Sequence, residues 1–68
     1  MNEETLNISI RKFLKMVGIN SQRQIEQAVA KAIAEGSISG TETFPAKFTL
    51  VVGGLKLNAT FDGEIQLQ

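Results

Sequence analysis

The spacing of apolar residues changes at Gly36, from the 3.6-residue period of a helix to the two-residue period of a strand. That switch divides the chain into a helical half and an extended half. It points to an α+β fold in which each half presents one apolar face.

In the first half, Leu6, Ile10, Phe13, Leu14 and Val17 fall at i, i+4, i+7, i+8 and i+11, one side of an amphipathic helix over about residues 3–17. Asn2 is placed to cap it. Glu3 and Glu4 occupy the first turn, where carboxylates suit the helix dipole, and Arg11, Lys12 and Lys15 lie toward the other end. Gly18 is a candidate C′ stop. Ser21 and Gln24 then form a capping-box pattern ahead of Ile25, Ala28, Val29, Ala32 and Ile33, which predicts a second helix over about 22–35, ended by Gly36. With only Gly18-Ile19-Asn20 between them, the two helices are expected to meet in a sharp corner.

In the second half, Ala46, Phe48, Leu50 and Val52 alternate with Lys47, Thr49 and Val51. Leu55, Leu57, Ala59 and Phe61 alternate with Lys56, Asn58 and Thr60. Gly53-Gly54 between them predicts a two-residue β-hairpin turn joining strands at about 46–52 and 55–61. Facing Val52 with Leu55 sets Leu50 against Leu57 and Phe48 against Ala59, and gathers the apolar side chains on one face. Pro45 marks the strand start or an edge. Asp62-Gly63 reads as a bulge or as a turn. The segment Glu64–Leu67 then either extends the strand or adds a third one, over 64–67. The helix corner is expected to pack on the apolar face of the hairpin, since a lone hairpin is marginal in water.

The 68 residues suffice for one domain, 1–68. A composition of 43% hydrophobic and 21% charged residues is that of a globular chain. Cysteine and histidine are both absent, which removes disulfides, the commonest metal ligands and the usual general base near neutral pH. No cofactor is implied. Ser9 and Lys12 sit at i, i+3, and Asp62 and Glu64 share one face of a strand, but each pair reads more simply as solvated surface. Gly53-Gly54 lacks the lysine and the strand-to-helix setting of a phosphate loop, and no acidic cluster has calcium-loop spacing. A non-enzymatic protein is therefore expected.

The seven basic and seven acidic residues cancel. Residues 1–36 carry five basic and four acidic residues, and residues 37–68 carry two and three, so neither half has the field that dominates nucleic-acid affinity. The cluster Arg11-Lys12-Lys15, with Arg23 across the expected corner, is the one feature that invites an anion or a nucleic acid. Two helices meeting at a glycine, followed by a hairpin, are similar to a helix-turn-helix with a wing. Against this, Ile25 lies one residue late, Leu14 stands where that motif takes alanine, and a further helix to complete the core is missing. Ile8, Met16 and Val51 lie off the apolar faces, and Ile65 and Leu67 overrun the expected cover. Those residues suggest a patch that pairs with a protein partner or a second copy. The leading expectation is a small protein-interaction module, a homodimer among the possibilities, and nucleic-acid binding is the alternative. No apolar run reaches the ~20 residues of a membrane helix, and the polar start Met1-Asn2-Glu3-Glu4 does not resemble a secretory signal, so the expected location is the cytoplasm.

The segments Ser9-Ile10-Arg11-Lys12-Phe13-Leu14-Lys15 with Val17-Gly18, Ser21-Gln22-Arg23-Gln24-Ile25-Glu26 and Ala28-Val29 resemble a family of short uncharacterised bacterial proteins. That family begins similarly to Met-Asn-Glu and ends in a glycine-containing hairpin followed by Asp62-Gly63-Glu64-Ile65. The resemblance covers nearly the whole chain. It implies a free-standing bacterial protein and transfers no substrate or site residue.

Overall fold

The structure, a computed structural model, describes residues 1–68. It comprises two compact units, Met1–Ser37 and Ile38–Gln68. The first is a single helix, α1 (Glu3–Ala34), and the second is an antiparallel hairpin of β1 (Thr43–Val52) and β2 (Leu57–Gln66) joined by a short 3₁₀ turn, Gly53–Leu55. The α+β class read from the sequence is present. The helical corner is not.

Both ends of α1 are where local chemistry places them. The Asn2 side-chain oxygen accepts from the Thr5 backbone N–H at 3.0 Å, with Glu3 and Glu4 in the first turn. At the other end Gly36 takes φ +74°, and the Gly36 and Ser37 N–H groups donate to the carbonyls of Ile33 and Ala32. This is the paired closure of a Schellman motif, which needs a residue tolerant of the left-handed region at C′.

Between these caps the helix runs through Gly18, correcting the expected stop there. Gly18 has no positive φ, and the Asn20 side chain donates to the Met16 carbonyl at 2.8 Å from within the helix. A glycine inside a helix costs about 1 kcal/mol relative to alanine. Ending one helix and starting another leaves up to four carbonyls and four N–H groups to be satisfied elsewhere. No proline lies between residues 3 and 34, so nothing forces that larger cost.

The hairpin keeps the expected apolar face but shifts the pairing. Val52 faces Leu57, Leu50 faces Ala59 and Phe48 faces Phe61, a register moved by two residues from the one read off the sequence. The loop is Gly53-Gly54-Leu55-Lys56 rather than two glycines, closed by the Lys56 N–H donating to the Gly53 carbonyl, with Lys56 at φ +53°. Because side chains alternate with period two, an even shift leaves each residue that stays in a strand on its original face, while Leu55 and Lys56, expected in the second strand, pass into the loop. Phe44, Ala46, Phe48, Leu50 and Val52 lie opposite Ile65, Gly63, Phe61, Ala59 and Leu57. The other face pairs Lys47 with Asp62 and Thr49 with Thr60.

Asp62-Gly63 is neither a bulge nor a turn. Both residues pair one to one, with Lys47 and Ala46, so the third strand is absent and β2 simply continues. Pro45 sits inside β1, permitted because each strand of a two-stranded sheet has a free edge.

No residue of either unit is buried. Large apolar side chains remain exposed along both, among them Leu14 at 51% and Phe61 at 58%.

The continuous helix has a direct test. Space around the Gly18 Cα is open and its φ is ordinary, so Gly18→Ala should stabilise the fold by about 0.5–1 kcal/mol. At roughly 4–8 °C per kcal/mol for a chain of this size, circular dichroism should record a higher melting temperature. A left-handed glycine at a corner would give a lower one.

Candidate interaction surface

A continuous α1 merges the two apolar sets into one stripe. Ile10, Leu14, Val17, Ser21, Ile25, Ala28 and Ala32 fall within an arc of about 80° at 100° per residue. Ile10 and Leu14 are about half exposed, and Val17, Ser21 and Ala32 are half-buried by neighbouring turns of their own helix. Phe13 flanks the stripe on one side and Val29 on the other.

The same continuity changes the basic cluster. Arg11, Lys12 and Lys15 stay within about one turn of one another, as expected. Arg23 does not fold back beside them; it lies about 18 Å farther along the axis than Arg11. The four cations occupy an arc of roughly 120° on the side away from the apolar stripe. They form a row on one exposed face, and the helical corner on which the helix-turn-helix similarity depended does not exist.

The other candidates stay separate. Ser9 and Lys12 border a shallow hollow with Thr5 and Ile8, open to solvent, and a similar one is bordered by Glu3, Glu4, Asn7, Ile8 and Arg11. Neither has the depth of a small-molecule site. Asp62 and Glu64 lie on the polar face of the hairpin, across from Lys47 and Pro45. No group of three or more acidic side chains converges as a metal site would require. No helix is long and apolar enough to cross a membrane.

Sequence reasoning missed one charged site. The Glu42 carboxylate accepts from the backbone N–H groups of Ser39 (2.9 Å), Gly40 (2.9 Å) and Thr41 (3.0 Å), and from the Ser39 hydroxyl (3.3 Å). Gly40, at φ +100°, allows the backbone to curl around the carboxylate. These donors, Ser39 foremost, hold the Glu42 carboxyl well below the usual range, at about 2. The signal was present as Ser39-Gly40-Thr41-Glu42, the Ser-x-x-Glu spacing of a capping box, here used without a helix. The loop's own anion thus occupies its backbone donors and leaves no open cradle for an external one.

These surfaces define the chain as a small helix-plus-hairpin α+β protein whose chemistry lies on exposed faces. The family model described as a family of unknown function (DUF6494) matches residues 1–68, and the chain belongs to that family. This bears out the resemblance to a family of short uncharacterised proteins. No curated protein and no solved structure matches the chain.

The loop before β1 should respond to acid. Glu42 has a lower pKa folded than unfolded, so its contribution is complete above the ordinary value of 4.5 and is lost as pH falls toward about 2. In an NMR titration the Ser39 and Gly40 amide signals should move in that window and not between pH 5 and 7. Glu42→Gln should abolish the transition; its persistence would contradict the assignment.

Proposed function

We propose that this protein is a small non-enzymatic interaction module whose partner is a second copy of the same chain. The observation that carries the reading is the apolar stripe running nearly the whole of α1 with none of its residues buried. A helix in water draws most of its stability from packing an amphipathic face. A hairpin of two strands is no better off alone.

Absence of histidine and cysteine, together with the open character of the hollows on α1, favours a binding role over catalysis. The row of Arg11, Lys12, Lys15 and Arg23 supports nucleic-acid contact as the second reading. The near-neutral charge of each half makes it the weaker one.

Sedimentation equilibrium at micromolar concentration should give twice the 7.4 kDa chain mass. Leu14 is exposed in the single chain, so Leu14→Arg should leave the isolated chain little changed yet weaken association at least about tenfold, or about 1.4 kcal/mol. A single-chain mass for the unmodified protein would overturn the reading.

A further inference from the structure

Building on the homodimer reading, we infer that two copies pair through α1 in antiparallel order, with the two-fold axis at Ser21. The stripe carries this inference. From Ile10 through Leu14, Val17, Ser21, Ile25 and Ala28 to Ala32, the steps are four, three, four, four, three and four residues. That series is the same in either direction. The helix can therefore lie along a reversed copy of itself with every stripe position facing another. Ile10, Ser21 and Ala32 are spaced by eleven residues, a repeat of about 3.67 per turn, so the stripe drifts only about 20° per repeat, in the sense of a right-handed supercoil.

Side-chain size chooses between the two orientations. The bulky residues lie in the N-terminal part and the small ones in the C-terminal part. Reversal about Ser21 sets Ile10 against Ala32, Leu14 against Ala28 and Val17 against Ile25, and brings the two Ser21 side chains together. Large residues then face small ones in two of the three layers, the condition for even filling between helices. Parallel pairing sets Leu14 on Leu14 and Ala28 on Ala28, overfilled at one end and underfilled at the other.

Charge agrees with size. Parallel pairing aligns the two helix dipoles, whereas antiparallel pairing sets them in opposition. Pairing centred on Ser21, in either orientation, also accounts for a polar residue in the middle of an apolar stripe. Two Ser21 hydroxyls meeting at the axis satisfy each other, and a slip in register leaves them unpaired among apolar groups.

The chain has no cysteine, so single cysteines report the geometry cleanly. Helices packed 8–10 Å apart bring facing Cα atoms within ~6 Å, inside disulfide reach. Under mild oxidation Ser21→Cys should cross-link to itself. Leu14→Cys and Ala28→Cys should each stay uncross-linked alone and should cross-link to one another when mixed. Each variant is first sedimented to establish that it remains a dimer. Self-cross-linking at Leu14→Cys and Ala28→Cys as efficient as at Ser21→Cys would overturn the inference in favour of parallel pairing. A dimer in which Ser21→Cys does not cross-link would overturn it while leaving the homodimer reading intact. A protein that sediments as a single chain refutes both.

Discussion

The unbroken ladder of backbone hydrogen bonds through Gly18 is the constraint on which the other features of α1 depend. It costs one unfavourable glycine and avoids two helix ends. Its consequence is geometric. Val17, Ser21 and Ile25 are separated by four residues each, so two short amphipathic patterns become one stripe nearly as long as the helix. Break the ladder and Arg23 returns toward Arg11 and Lys15, the stripe divides, and a helix-turn-helix becomes geometrically reasonable. Keep it, and the chain has a long apolar seam and a row of cations on the far side.

The hairpin shows a different kind of determination. Its faces are set by alternation, which survives any even change in pairing. Its register is set by the loop. Gly53-Gly54 does not close the turn alone; Lys56 enters the left-handed region, and four residues separate the strands. The longer loop shifts the pairing so that Phe48 meets Phe61 and Asp62 meets Lys47. A cross-strand aromatic pair and an opposite-charge pair favour this register, whereas the tighter turn sets Phe48 against Ala59.

Much of this was legible in the residues. Asn2 as cap, Gly36 as stop and the apolar face of the hairpin all follow from local rules whose energies act over a few residues. The misreadings arose where two local rules competed. At Gly18 the C-cap rule and the Ser21–Gln24 capping box both signalled an end, yet neither carries a cost for orphaned backbone groups. At Asp62-Gly63 the turn propensity of the pair was outweighed by continuing pairing with Lys47 and Ala46. The Glu42 site was hidden for another reason: three consecutive N–H groups converge only through the positive φ of Gly40, and the Ser-x-x-Glu spacing ordinarily marks a helix start, which this loop does not contain. The candidate interaction surface was half legible, since both parts of the stripe were visible but their common phase depended on the missing corner.

A stripe covered by a second copy ties helix stability to association, so the two are inseparable thermodynamically. Apolar burial, which supplies most of the driving force in a small chain, is then divided between the fold and the contact. The most direct measurement is thermal unfolding followed by far-ultraviolet circular dichroism over a ~100-fold range of protein concentration. The account predicts a midpoint that rises steadily with concentration, with helix content falling at the dilute end. A midpoint and a helix content independent of concentration would contradict it, because α1 would then be held within the single chain.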